Sequence, residues 1–466
     1  MLVGREKELQ TLEQLYARPA FALAAVYGRS GMGKTALLQE FLKEKRGLHF
    51  TAMEAGDVLN LRSFNKQLAT FVPQAADCTS WEEAFRLLAE HVDGERFVLV
   101  LDEFYYLAHT PVCAALRSLS KCVGADSLMV IISSSQFSLM EGGLMGSKSP
   151  LAGLLGAAVA VHPLPYYEAA KLLGGFTDEE KLILYACLGG APQYLALVDR
   201  EKPLLENLEQ LYLRPSGFFY NATLLLLKQE LRELTLYNSI LLTVAQGVTR
   251  MNEIATLLEV APNTLNSYLR TLCNLHLLER LCPVGEDPRR SKKTQYVIRD
   301  NHYFFWYHFV FALQGVITLG KSAEAVAQVA AGLDAYLQQG PFRDICLQFL
   351  RHEGCQGRLP LKVEDYGTWW GLNPRLRQQQ SIDLVLGDAA KEKALLASCL
   401  WDKSKDAEQE LAELRAKREQ FAEYDDCYYA LLAREPFSAE LVREAQEDEH
   451  LLLYTLPDLL AEARKV

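Results

Sequence analysis

The sequence predicts an α/β fold, a parallel sheet built around a phosphate-binding loop, with helical and mixed segments after it. Three observations carry this expectation. Short, continuously apolar runs alternate with helical patterns over roughly the first 200 residues, as strands buried on both faces of a parallel sheet do. The first run leads into Gly28-Arg-Ser-Gly-Met-Gly-Lys-Thr35, a match to GxxxxGK[ST] lying between a strand and a helix. A later run, Phe97–Leu101, ends in two adjacent acids, Asp102 and Glu103.

The expected strands are Leu23–Tyr27, Leu48–Ala52, Phe97–Leu101, Leu128–Ile132 and Ala157–His162. Helices are expected between them at Lys34–Glu44, Leu61–Phe71, Trp81–His91 and Pro111–Lys121. Strands alternating with helices give the α/β class. The chain then turns helical, with a Gly/Pro/charge cluster at 283–294. From about residue 335 the pattern changes again. A helix at Pro341–His352 precedes strand-like pieces at Gly367–Trp370, Ser381–Leu386 and Ala394–Trp401, and charged helices are expected at Lys405–Phe421 and Glu440–Leu453. The expected division is 1–165 for the sheet core, 166–232 for a helical lid, 233–330 for a winged helix with connecting helices, and 335–466 for the C-terminal region.

Composition bounds the function. Of 466 residues, 50% are apolar and 23% charged, the profile of an ordinary folded chain of several domains. A net charge of −11 disfavours non-specific binding to DNA or anionic membrane. The start, MLVGREKELQ, has no apolar leader core, and no run reaches the ~18 apolar residues of a spanning helix. The expectation is a cytoplasmic protein without a membrane partner. Ten scattered cysteines form no CxxC pair and are expected to be reduced core residues.

The loop at 28–35 defines the expected nucleotide site. Its glycines let backbone N–H groups approach phosphate oxygens with no Cβ in the way, and the helix N-terminus adds a favourable dipole. On this reading Gly28, Arg29, Ser30, Gly31, Met32, Gly33, Lys34, Thr35 and Ala36 cradle a triphosphate. Lys34 reaches the β- and γ-phosphates, while Thr35 and Asp102 hold Mg²⁺. Glu103 orients and deprotonates the attacking water, so Lys34 and Glu103 are the expected catalytic residues. Ser135, in Ser133-Ser-Ser-Gln136, is placed to sense the γ-phosphate, although serines at a strand tip also simply cap loops. Gly189-Gly190 end one helix and Pro192 opens the next. That suits a plain helix corner and a nucleotide-sensing lid equally.

Residues 236–299 pattern as a winged helix. Leu236–Gln246, closed by Gly247, is followed by Met251–Leu258 and by a third helix, Asn263–Cys273, opened by Pro262. Leu277–Arg280 and Gln295–Ile298 would pair as wing strands around Pro288–Lys293. Eight Lys/Arg against five Asp/Glu give this stretch a charge of +3. Asn263, Asn266 and Arg270 on the third helix, beside Thr264 and Ser267, suit base edges; Arg289, Arg290, Lys292 and Lys293 suit DNA phosphates. The same features suit a structural module with a solvated basic loop. The aromatic run Tyr303–Phe311 reads as a buried helix.

Taken together, these residues resemble the archaeal-type ATPases, P-loop proteins related to the AAA and STAND ATPases. Val3-Gly-Arg-Glu-Lys-Glu-Leu9 is similar to that family's N-terminal "NRE-x-EL" box, which packs near the adenine. Tyr27-Gly-Arg29, Gly33-Lys-Thr35 and Leu101-Asp-Glu-Phe104 match its phosphate loop and acidic strand. Ser147-Lys-Ser-Pro150-Leu151 resembles "KSPL", and Gly189-Gly-Ala-Pro192-Gln-Tyr194-Leu195 resembles the GGxPxYL box of the helical lid. Tyr296–Asp300 and Phe304–Phe309 are similar to "YxIxDP…FWfrF". The resemblance implies ATP and Mg²⁺ as ligands. The family places Arg shortly after KSPL, in "SPLYGR", where this chain has Leu154; that departure implies slow hydrolysis.

The C-terminal region resembles the family's domain of unknown function, which has a restriction-endonuclease-like design. Its pattern runs WW, "EID", "ECKW"; here the counterparts are Trp369-Trp370, Ser381-Ile-Asp383 and Ser398-Cys-Leu400-Trp401. Asp383 is retained, but Ser398 stands at the second acid and Leu400 at the lysine. A lone carboxylate holds Mg²⁺ poorly, so no phosphodiester cleavage is expected from a degenerate domain of this kind. The expectation is an ATP-binding protein, a slow Mg-dependent ATPase acting as a nucleotide-controlled switch, with a protein partner or self-association left open. An ATP-regulated DNA-binding regulator is the alternative, and an Mg-dependent nuclease comes last.

Overall fold

The computed structural model describes residues 2–461 apart from 93, 109–110, 137–139, 141–142, 145, 147–148, 232 and 374–376. It divides into two compact units, Met1–Leu164 with Ala191–Gln193, and Pro165–Gly190 with Tyr194–Val466. Among the described residues no helix is long and apolar enough to cross a membrane.

The first unit begins with α1 (Glu6–Tyr16) and β1 (Ala22–Tyr27). The chain continues through α2 (Lys34–Leu42), β2 (Gly47–Thr51), α3 (Asp57–Leu68), α4 (Trp81–His91), β3 (Phe97–Asp102), α5 (Val112–Leu119), β4 (Leu128–Ser134) and β5 (Leu155–Ala160). All strand pairs are parallel, in the order β2-β3-β4-β1-β5. The central strands β1, β3 and β4 are buried at every residue, whereas the edge strands β2 and β5 are partly exposed. That burial accounts for the unbroken apolar runs in the sequence. On one face Phe64 meets Phe50, Trp81 and Phe85 with ring centroids 5.1–5.6 Å apart, mostly edge-on, as aromatic quadrupoles prefer. The expected strand at Ala157–His162 starts and ends two residues earlier, and the helix expected at Leu61–Phe71 begins at Asp57 and ends at Leu68.

The second unit opens with α6 (Tyr166–Leu172) and α7 (Asp178–Leu188), the latter started by a capping box between Thr177 and Glu180. Then come α8 (Pro192–Leu195), whose first two residues cluster with the first unit, α9 (Leu204–Tyr212) and α10 (Phe218–Glu230). Helices α11 (Leu234–Ala245), α12 (Met251–Leu257) and α13 (Pro262–Asn274) precede an antiparallel ribbon, β6 (Leu278–Leu281) with β7 (Gln295–Ile298). The aromatic run is buried as expected. It forms α14 (Asn301–Phe305) and one π-helical stretch, Trp306–Phe311, in which the Trp306 indole N–H donates to Phe219 O (2.9 Å) and the Tyr307 hydroxyl to Asn238 (2.7 Å).

Helices α15 (Gln314–Thr318), α16 (Ser322–Gln339) and α17 (Pro341–Cys355) lead into a mixed sheet. Its strands are β8 (Asp365–Asn373), β9 (Gln378–Gly387), β10 (Lys393–Leu400), β11 (Asp426–Ala433) and β12 (Leu451–Thr455), with α18 (Ala407–Ala416), α19 (Ala439–Glu447) and α20 (Leu456–Leu459). The order is β12-β11-β10-β9-β8, antiparallel through β8-β9-β10 and parallel through β10-β11-β12. Here the sequence expectation fails. The segment Glu440–Leu453 is not one helix: α19 stops at Glu447, Asp448 takes extended angles, and Leu451 begins an edge strand paired to Tyr429. Leu451 is buried against Leu411, Leu431 and Leu441, and it is this non-local packing that overrides the helical spacing. The helix expected at Lys405–Phe421 is α18 continued by a 3-10 stretch, Lys417–Phe421.

Candidate functional site

The site is built where β1 and β3 end, one strand apart in the sheet. β1 stops at Tyr27 and the loop turns back into α2. Gly28 is required by its surroundings, because a Cβ there would sit 2.3 Å from Val161 O. Gly31 and Gly33 have φ of 85° and 86°, the left-handed region that only glycine enters without strain. Between them Met32 is buried, while Ser30, Thr35 and Ala36 are exposed and Arg29 lies half-exposed on the rim.

Lys34 lies along the inside of this loop. Its ammonium donates to the carbonyls of Gly28 (2.8 Å) and Arg29 (3.1 Å). Burial pushes its pKa down, opposed by the nearby charges of Glu103 and Asp102. Gly28 to Gly33 thus form a glycine-built loop that closes on a buried cation at the N-terminus of α2.

Asp102 faces the same place. The Thr35 hydroxyl donates to Asp102 Oδ2 (3.0 Å), and His49 Nε2 lies 3.2 Å from the same oxygen. The Glu103 backbone N–H donates to Oδ1 (3.0 Å). Burial opposes the ionised form. The hydrogen bonds from His49 and the Glu103 backbone, with the Ser133 hydroxyl close by, outweigh it and hold the carboxyl down at about 2. The donor set, an anionic carboxylate beside an exposed hydroxyl at a helix start, fits Mg²⁺, which takes one or two protein oxygens and leaves the rest to water and phosphate.

Glu103 has φ 50° and ψ 42°, an arrangement that costs a side-chain-bearing residue about 1 kcal/mol or more. Its carboxylate accepts a hydrogen bond from the Ser135 hydroxyl (3.0 Å). The two strand-tip residues singled out in the sequence are therefore joined directly. Pro192 also reaches the loop. A Cβ on Gly33 would lie 3.8 Å from its ring, and the neighbouring Gln193 backbone N–H donates to Gly31 O (3.2 Å).

Two residues of this site did not stand out as such in the sequence. Arg5, only 4% exposed, donates through Nη2 to the carbonyls of Met32 (3.0 Å) and His162 (2.7 Å), and through Nη1 to Glu8 (3.2 Å). Its guanidinium thus ties the loop at Met32 to the chain at His162. His49 is the other; the one trace it leaves is a polar residue in the otherwise apolar run Leu48-His-Phe50. Near the expected "SPLYGR" position, Leu154 packs on the core. Arg117 of α5 donates to Pro150 O (2.5 Å) and Ala152 O (2.9 Å), shaping that segment. Ser147 and Lys148 lie outside the described residues.

In the second unit Asn263, Asn266 and Arg270 are exposed along α13, with Thr264 and Ser267, and Arg289, Arg290, Lys292 and Lys293 are exposed in the β6–β7 loop. The loop carries its own counter-charges. Lys293 pairs with Glu286 at 2.6 Å, and Arg290 lies 3.8 Å from Asp287. In the C-terminal sheet Ser398, Leu400 and Trp401 are buried, and Asp383 accepts a hydrogen bond from the Cys399 backbone N–H (2.9 Å). No group of three or more His, Cys, Asp or Glu suited to a metal occurs among the described residues.

Residues 2–198 match the family described as an ATPase domain predominantly from Archaea, and residues 306–411 match archaeal and bacterial proteins of unknown function. An uncharacterized protein of Methanocaldococcus jannaschii is 25% identical over 464 residues, 98% of this chain and all of its own. The fold is similar to that of a Walker-type ATPase of Pyrococcus abyssi, with a TM-score of 0.51 and 19% identity over 66% of this chain and 96% of that one. The ORC2 protein of Aeropyrum pernix, solved in ADPNP–ADP complexes, aligns with a TM-score of 0.46 and 15% identity over 69% of this chain and 96% of its own.

Proposed function

We propose that this chain, whose residues 2–198 match the ATPase domain family found predominantly in Archaea, binds Mg-ATP at Gly28–Ala36 and hydrolyses it slowly, as a nucleotide-controlled switch. The observation that carries the reading is the convergence of the Lys34 ammonium, the Thr35 hydroxyl and the Asp102 carboxylate on one glycine-built loop.

Each residue has a task that its surroundings support. Backbone N–H groups of the loop bind the phosphate oxygens, with Arg5 holding the loop at the Met32 carbonyl. Lys34 trades its loop carbonyls for the β- and γ-phosphates. Thr35 and Asp102 would hold Mg²⁺, which supplies charge neutralisation on the phosphates. Asp102 is ionised throughout the physiological range and so is ready to do this. Glu103 accepts a proton from the attacking water, and its bond to Ser135 fixes where the carboxylate points. Ser135 is thereby placed to relay the presence of a γ-phosphate to the base. No arginine takes the place of Leu154, and the nearby Arg117 is engaged with backbone carbonyls; slow turnover follows.

The test is a titration with a non-hydrolysable ATP analogue and Mg²⁺, repeated on Lys34→Ala. Binding by the wild type that disappears in the variant supports the reading; equal binding by both would sink it.

A second reading is ATP-controlled DNA binding through α13 and the β6–β7 loop, favoured by the exposure of Asn263, Asn266, Arg270 and four basic loop residues. The ion pairs of Lys293 and Arg290 reduce the charge available to DNA phosphates. We propose no nuclease chemistry, because Asp383 is a single carboxylate already engaged by Cys399.

A further inference from the structure

We infer that the second unit contains a binding site for a small organic carboxylate, in a cavity whose every wall belongs to that unit, with Arg343 and Trp370 as its principal contacts. The cavity measures about 250 Å³, the space of roughly eight waters at liquid density. It is formed where the β6–β7 ribbon, the corner between α16 and α17, and strand β8 meet. Backbone bonds set these walls. The Val284 N–H, in the ribbon's loop, donates to Thr368 O of β8 (3.2 Å), and the Tyr296 N–H of β7 donates to Thr249 O (2.8 Å), between α11 and α12. The apolar side is made by Val244, Leu281, Ile298, Phe304 and the Trp370 ring.

The polar side is rich in unspent donors. Arg343, in the first turn of α17, is 23% exposed. Its Nη2 lies 3.9 Å from where a Cβ on Gly340, part of the wall, would stand. Among the described residues this guanidinium makes no hydrogen bond. Asp344 Oδ1 is 4.0 Å from its Nε, and that oxygen is already bonded to Arg299 at 3.1 Å. Trp370 is 7% exposed, yet its indole N–H has no partner among the described residues; a buried indole N–H ordinarily finds one. The hydroxyls of Thr249 and Thr368 and the Gln295 amide line the same space, again with no side-chain hydrogen bond among the described residues. Such a set suits a ligand that accepts. An oxyanion takes two parallel N–H bonds from one guanidinium, and the apolar side takes a flat hydrocarbon body. Charge selects among oxyanions. Arg299 and Arg343 are balanced by Glu279 and Asp344. One negative charge is met by Arg343, whereas a second would face Asp344 uncompensated. The geometry therefore favours a monocarboxylate over a phosphate monoester, and the volume limits it to about a dozen heavy atoms.

The experiment titrates the full chain by calorimetry with 2-naphthoate and with its uncharged isostere 2-naphthamide, and uses 2-naphthyl phosphate as a competitor of naphthoate. The chains are the wild type, Arg343→Gln and Trp370→Phe. Naphthoate should bind the wild type once per chain with a Kd of about 0.1 mM. Naphthamide should bind at least about tenfold more weakly, and the phosphate should compete at least about tenfold less well than naphthoate itself. Arg343→Gln should lose at least about tenfold for naphthoate and keep its affinity for naphthamide, a split that a change of cavity shape would not produce. Trp370→Phe keeps a ring but not the N–H, and should lose about threefold. Should a variant melt early, the wild-type series decides alone. Equal wild-type affinity for naphthoate and naphthamide, or stronger competition by the phosphate, would overturn the proposal. So would undiminished naphthoate binding by Arg343→Gln, or none by the wild type at about 5 mM.

Discussion

Glu103 is held in a costly left-handed backbone conformation with its carboxylate bonded to Ser135, which is how a group looks when its direction matters more than its comfort. Glu103→Gln should keep nucleotide affinity, since the amide fills the same space, and lose about 100-fold or more in turnover, since it cannot take a proton. A steady-state ATPase assay beside an equilibrium binding measurement checks this; near-normal turnover would remove Glu103 from its role. Asp102 gives a pH prediction. Its folded pKa of about 2 lies below the ordinary 3.8, so the folded state favours the anion. Its contribution is present above the unfolded value and fades as pH falls toward the folded one. At neutral pH that contribution is about 2 kcal/mol. In metal-free buffer the stability gap between wild type and Asp102→Asn should narrow by about 1 kcal/mol between roughly pH 5 and 3. Urea unfolding at both pH values measures it, and a gap that does not change would mean that the hydrogen bonds to Asp102 do not favour its anion.

At the scale of elements, Gly28–Thr35 was legible because its chemistry is local: glycines, lysine and hydroxyl lie within eight residues, and strand and helix flank them. The central strands were legible because burial on both faces leaves an unbroken apolar run. What depends on contacts remote in sequence was not. The pairing of His49 with Asp102 needs the β2–β3 register, which sets Thr51 beside Asp102. Arg5 was legible only as part of a box that the resemblance sets near the adenine; its bonds to the carbonyls of Met32 and His162 come from the fold. β12 carries helical spacing and becomes a strand only because β11 lies beside it. This correction is itself testable. Leu451→Ala should destabilise the chain by about 2–4 kcal/mol, as at a packed core position. A leucine on the outer face of a surface helix would cost under about 0.5 kcal/mol, and chemical denaturation separates the two.

At the scale of the whole molecule the chain divides into two compact units, and Ala191–Gln193 cluster with the one that holds the phosphate loop. The DNA reading belongs to this scale too. If it held, affinity for duplex DNA would fall steeply with salt and weaken further when Arg289, Arg290, Lys292 and Lys293 are neutralised together. The internal ion pairs of this loop lead us to expect only a shallow salt dependence, measurable by fluorescence anisotropy. The most direct test of the central claim is calorimetric titration of the full chain with a non-hydrolysable ATP analogue in Mg²⁺, beside Lys34→Ala. One nucleotide per wild-type chain is expected, with a loss of at least about 100-fold in affinity for the variant, the effect of deleting a charge-assisted phosphate contact. A wild type that takes up no nucleotide, or a variant that binds it equally well, would contradict it.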